Sequence, residues 1–132
     1  MTRRQSIVAA VALTVLLAAC EGQDGETVAQ QKLLPPAGFV ADANQGERLF
    51  RAHCARCHGQ AGMGSDQGPP LVHSVYRPAH HADLAFYWAV KDGVRQHHWH
   101  FGDMPAIEGL APEDVAHIIA YVRGEQRNNG IR

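Results

Sequence analysis

Apolar residues recur at helical spacing in three stretches of the chain. In the first, Gly46, Leu49, Phe50, His53 and Cys54 fall at offsets 0, 3, 4, 7 and 8 and predict one face of a helix from about Ala43 to Cys57. Asp42 stands where an N-cap belongs, with Gln45 three residues on. In the second, Phe86, Ala89, Val90 and Val94 share a face, predicting a helix from about Ala82 to Asp92 that Gly93 stops. The third begins at Pro112, a favoured first helical position, with Glu113 and Asp114 at the positive end of the dipole. Its stripe is Val115, Ile118, Ile119 and Val122, and Arg123 and Arg127 suit its C-terminal end. Between the first two helices, residues 59–70 hold four glycines and two prolines and show no strand character. The expected class is all-α.

The N-terminus carries a different pattern. Met1-Thr2-Arg3-Arg4 is a short basic head, and Ile7 to Ala19 is a 13-residue apolar run. A membrane span needs ~20 residues, so the run suits the hydrophobic region of a signal peptide. Leu17-Ala18-Ala19-Cys20 then reads as a lipobox, with cleavage after residue 19 and a lipid on Cys20. An ordinary signal peptide with an incidental cysteine, or an uncleaved anchor, are the other readings. Residues 20–42, with two prolines and few large apolar groups, are expected to be a flexible tether reaching on the order of 25 Å. Residues 43–132 form one small domain whose core is marginal by size. The expected address is the periplasmic side of a bacterial membrane, with Glu21 favouring the outer one.

Charge narrows the partners. Of 12 basic residues, removal of Arg3 and Arg4 leaves 10 against 13 acidic, a net charge of −3. From Ala43 onward the counts are 9 and 9, and Lys91 is the only lysine there. Such a balance excludes a polybasic nucleic-acid surface and a lysine docking ring.

The chemistry is concentrated in Cys54-Ala55-Arg56-Cys57-His58. C-x-x-C-H is the attachment signature for c-type haem. The two thiols add across the two vinyl groups of the porphyrin, and the adjacent imidazole reaches the iron from one face. A C-x-x-C pair also serves as a dithiol redox motif or half a zinc site. A zinc site lacks its second pair here, since no cysteine follows residue 57, and no βαβ pattern surrounds the motif. Cys20 accounts for the third cysteine, so no disulfide is expected. A single C-x-x-C-H motif implies one haem.

The second iron ligand decides what a haem protein does. Met63 lies five residues after His58 in a glycine loop, where it would meet the same side of the ring. Met104 lies 46 residues downstream in Gly102-Asp103-Met104-Pro105, far enough for the chain to wrap the haem and return on the other face. The competing role for Met104 is simple core packing. A thioether favours Fe(II) and raises the potential.

With these residues in place, positions 43 to 127 resemble the class I cytochrome c family. Cys54, Cys57 and His58 match its haem motif, and Gly68-Pro69-Pro70-Leu71 resembles its Gly-Pro-x-Leu segment. The resemblance implies that the Pro69 carbonyl orients His58. It implies that Met104-Pro105-Ala106 is the distal ligand segment, and that Gly46 and Phe50 cross Tyr121 where first and last helices meet. The implied fold is the cytochrome c fold around one covalent haem c. The implied function is single-electron transfer without a bond-making reaction, so not an enzyme. Partners would be redox proteins met transiently, with the lipid anchor on a membrane, or the domain would serve as a subunit of a larger oxidoreductase.

One stretch departs from the family. His97-His98-Trp99-His100 precedes the methionine segment, and His80-His81 opens the second helix. His97, His98 and His100 are candidates for copper or zinc, since imidazole suits both. Trp99 is a candidate for the haem edge, with histidines on the propionates. A histidine replacing Met104 at the iron is a further reading. A solvated loop or propionate contact is the expectation. Two rival functions follow: an open-iron enzyme or sensor for peroxide or gas, with histidines as acid and base, and a metal-handling lipoprotein. His73 and His117 read only as surface or core.

Overall fold

The computed structural model describes residues 33–132. The signal peptide, Cys20 and residues 20–32 of the expected tether lie outside the described residues. From Ala43 onward four α-helices follow in order among the described residues: α1 (Ala43–His53), α2 (Ala55–His58), α3 (Asp83–Asp92) and α4 (Pro112–Asn128). Two 3₁₀ turns, Gln60–Gly62 and Ser74–Tyr76, lie in the loop between α2 and α3. Among the described residues the sole β-type pairing is the Val94–Met104 bridge. None of the described helices is long and apolar enough to cross a membrane.

The helix ends follow from local chemistry. Asp42 caps α1 by accepting from the Asn44 amide at 2.8 Å, satisfying one of the orphan donors of the first turn. Pro112 occupies the first turn of α4, and the Asp114 carboxylate accepts from the Ala111 amide at 3.0 Å.

The core is the crossing of α1 and α4. Gly46 makes it: a Cβ there would lie 1.9 Å from the His117 carbonyl oxygen. One turn on, Phe50 is fully buried beside Ile118 and Val122, its ring centroid 5.4 Å from that of Tyr121. The Asp42 amide donates to His117 Nδ1 at 2.7 Å, tying the start of α1 to the same turn of α4. His117 therefore has a bonded role that its sequence position did not disclose.

Four expectations change. The first helix does not run unbroken to Cys57. At Cys54 the backbone turns to φ −120°, ψ −36°, and α2 starts afresh at Ala55. His53 is exposed rather than part of the apolar face. The second helix lies where expected, Asp83–Asp92 with Ala82 at its N-cap, but its buried residue is Tyr87, which is not on the predicted face. Packing also begins before residue 43. Leu33 is buried against Tyr87, Val115, Ala116 and Ile119, and the Phe39 ring meets His117 edge-on at 5.1 Å. The physical reason is that α3 and α4 leave an apolar seam, and Leu33 is the side chain that covers it.

Candidate functional site

The short helix α2 presents Cys57 and His58, with Cys54 at its N-cap. The carbonyls that its last residues leave unpaired need other donors. The loop supplies them: the Ser65 hydroxyl donates to Cys57 O at 2.6 Å and the Gly64 amide to His58 O at 2.6 Å. This wrapping needs small residues. A Cβ on Gly59, whose φ is +74°, would stand 2.1 Å from Gly64 O, and one on Gly68 would stand 2.8 Å from Cys57 O.

The folded loop brings Pro69 to His58. His58 Nδ1 donates to the Pro69 carbonyl oxygen at 2.9 Å. A carbonyl only accepts, so the proton sits on Nδ1 and the Nε2 lone pair is left for a metal. Burial holds His58 below the ordinary imidazole range, opposed by the Pro69 hydrogen bond, which keeps the ring neutral. Burial, with Cys57 beside it, pushes the Cys54 thiol up to about 11. Dithiol redox centres and zinc thiolates work through lowered thiol pKa values. Cys54 is shifted the other way.

Met104 is half-buried and anchored through its backbone. Val94 and Met104 exchange both N–H···O bonds at 2.9 Å, and the Ile107 amide donates to Val90 O at 2.8 Å. The segment 104–107 is thus laid along the end of α3. Met63, the other methionine weighed as a ligand, is 57% exposed.

Trp99 is the remaining site residue. Its indole packs edge-on to His73 at 5.2 Å, and its Nε1–H is buried beside the Tyr76 hydroxyl. The donor set fits a covalently held haem: two unpaired cysteines, an imidazole oriented by its other nitrogen, and a methionine on an anchored backbone.

The cytochrome c family model matches residues 43–125. The chain belongs to the cytochrome c family. No curated protein and no solved structure gives a significant match. This cytochrome carries a covalently bound haem c in an all-α cytochrome c fold, with Cys54 and Cys57 present in the C-x-x-C-H motif, and its class of chemistry is haem-based electron transfer.

Two buried polar residues of the cytochrome were not expected from its sequence. Arg123, read as a helix-end cation, is 7% exposed, and Gln126 is 1% exposed. Arg123 donates to Asp83 Oδ1 at 2.8 Å, to Tyr76 O and Gln126 Oε1 at 2.7 Å each, and to His81 O. Gln126 Nε2 donates to Leu71 O at 2.8 Å and Tyr76 O at 3.1 Å. Together they fasten the 71–81 loop, which continues directly from Pro69, onto α4. The signal was present: Gln126 continues the Val115, Ile119, Val122 spacing, and Arg123 lies four residues after Ile119.

Of the clustered histidines, His80, His81 and His98 have ligand nitrogens within 4.8 Å of one another. His97 is in ring contact with His98. His100 is exposed and is not one of that trio.

Proposed function

We propose that this cytochrome shuttles single electrons with His58 and Met104 as the axial ligands of its haem iron. The observation that carries the reading is the anchored Met104 segment: a two-bond bridge to Val94 beside a glycine that admits no side chain. A ligand loop so held changes little between oxidation states, which is what a carrier requires. Haem c supplies the one-electron couple. The protein's own residues orient and shield: Pro69 fixes the His58 tautomer, Trp99 lies at the haem edge, and Cys54 and Cys57 hold the ring.

In this reading the mature chain is lipidated on Cys20 at the periplasmic face of a bacterial membrane, the outer one being favoured. It meets redox proteins through small transient interfaces, or sits as one subunit of a larger oxidoreductase. It makes and breaks no substrate bond. The evenly balanced domain charge, 9 basic against 9 acidic residues from Ala43 onward, supports weak docking without strong steering.

The test is the absorption spectrum of the haem-loaded protein, oxidised and reduced, with and without carbon monoxide. A low-spin ferrous form indifferent to carbon monoxide, with the near-infrared sulfur-to-iron band when oxidised, supports the carrier. Low-spin spectra without that band move the sixth ligand to a histidine. High-spin iron that takes up carbon monoxide at once overturns the reading in favour of an open-site enzyme or sensor.

A further inference from the structure

Two loops that flank α3 bring imidazoles together on the surface. The turn entering α3 is held by the Arg77 carbonyl, which accepts from the amides of both His80 and His81 at 2.9 Å. The loop leaving α3 is closed at its base by the Val94–Met104 bridge. It is cross-tied above that by Gln96 N to Asp103 Oδ1 and Gly102 N to Gln96 Oε1, each 3.0 Å. The rings of His80 and His81 stack at 4.7 Å, and His98 meets them edge-on at 5.1 and 5.2 Å. His97 lies 4.3 Å from His98 and 5.9 Å from His81.

Four imidazoles in one knot are more than a solvated loop requires, and their nitrogens are disposed for a ligand. His81 Nδ1 lies 2.8 Å from Val75 O and His97 Nδ1 lies 2.9 Å from Arg95 O. Each of these nitrogens must carry its proton, so each Nε2 presents a lone pair. Such outer hydrogen bonds are what orient metal-binding histidines. His81 is fixed at its main chain as well, because Arg123 donates to its carbonyl.

We propose that His80, His81 and His98 form a second metal site, distinct from the haem, for a divalent first-row transition ion of the zinc or copper(II) kind. The ligand nitrogens lie within 4.8 Å of one another. Around a tetrahedral zinc at 2.0–2.1 Å they would stand about 3.4 Å apart, so rotation of exposed rings closes the site without moving the backbone. The trio is imidazole alone, with no carboxylate, which selects against calcium and magnesium and for copper(II) over zinc in affinity. The sequence-based triplet His97, His98 and His100 shares only His98 with it. The site draws one member from the loop that ends at Met104, so an ion there ties that loop to the 77–81 turn.

The inference stands apart from the carrier reading and has its own readout. Haem-loaded protein without an affinity tag is titrated calorimetrically with zinc chloride, with copper(II) sulfate and with magnesium chloride. One saturable equivalent of zinc and of copper is expected, and none of magnesium. The double variant His80→Ala/His98→Ala should weaken both at least 100-fold while the haem spectrum stays unchanged, and His53→Ala should bind as the parent does. Nitrogen hyperfine structure from three imidazoles is expected in the paramagnetic resonance of the copper form. Absence of a saturable equivalent overturns the site. So does binding unaffected by the double variant, or binding lost in His100→Ala but kept in His80→Ala. High-spin haem that takes up carbon monoxide in the parent protein, with one equivalent of zinc still bound at His80, His81 and His98, would count against the carrier reading alone.

Discussion

Gly93 and Met104 are locked together through their backbones. A Cβ on Gly93 would lie 2.5 Å from the Met104 carbonyl oxygen and 3.0 Å from the Ala106 amide nitrogen. Gly93 also sits at φ +75°, ψ −177°, a region that side chains other than hydrogen enter at a cost of about 1–3 kcal/mol. Two independent constraints thus demand glycine beside the proposed iron ligand. Gly93→Ala should displace the Met104 segment, weaken the sulfur-to-iron band and open the ferrous haem to carbon monoxide. Unchanged spectra in a folded Gly93→Ala protein would show that the bridge does not position Met104.

Gly46→Ala tests the crossing of α1 and α4. By helix propensity alone the change should stabilise α1 by up to about 1 kcal/mol. The His117 carbonyl 1.9 Å from the new Cβ is backbone and has little room to yield, and overpacking of this kind costs about 1–3 kcal/mol or more. A net loss of about 2 kcal/mol or more is expected from the denaturant midpoint of the haem-loaded protein. A gain would mean that the helices separate freely.

Arg123→Met keeps an aliphatic stem but removes every donor, together with the guanidinium that lies over the Phe86 ring. It leaves the Tyr76 and His81 carbonyls without Arg123 and Gln126 Oε1 without its partner, at a cost of about 3 kcal/mol. Asp83→Asn should change stability by no more than about 1 kcal/mol, because the Asp83 side chain is 61% exposed and water replaces the lost charge contact. Equal losses in the two variants would assign the energy to the ion pair rather than to the buried carbonyls.

Trp99→Phe keeps an aromatic ring against His73 but removes a buried N–H beside the Tyr76 hydroxyl. The haem-loaded protein should lose about 1 kcal/mol of stability with its absorption spectrum unchanged. A variant as stable as the parent would show that the indole N–H makes no hydrogen bond to Tyr76.

The pH dependence follows from His58. Its folded-state pKa is lowered by burial, so the folded protein binds fewer protons there than the unfolded chain. Stability from this group is therefore present above the ordinary value of about 6.5 and is lost as pH falls through the lower folded value. Iron coordination at Nε2 acts in the same direction. The urea midpoint of the haem-loaded protein should be flat on the alkaline side of pH 7 and fall on acidification below about 6. A midpoint that rises on acidification would reverse the sign and rule out a neutral, buried His58.

The sequence by itself determined whatever is local along the chain. Cys54, Cys57 and His58 are fixed by a spacing of five consecutive residues, and the three helices are legible because apolar positions repeat every three or four residues. Pro112 and Asp42 mark helix starts for reasons contained within one turn. The tertiary structure alone decided the pairings across long separations. Arg123 and Gln126 look like a solvated helix end until the 71–81 loop packs over them and supplies carbonyls to bind. Leu33 looks like part of a tether until α3 and α4 open an apolar seam for it. His98 stands beside His80 and His81, 18 and 17 positions earlier, because the bridge between Val94 and Met104 folds one loop back along α3. Short-range pattern reports what a segment prefers. Which segments meet is set by close packing and by the need of each buried polar group for a partner, and neither is written at any single position.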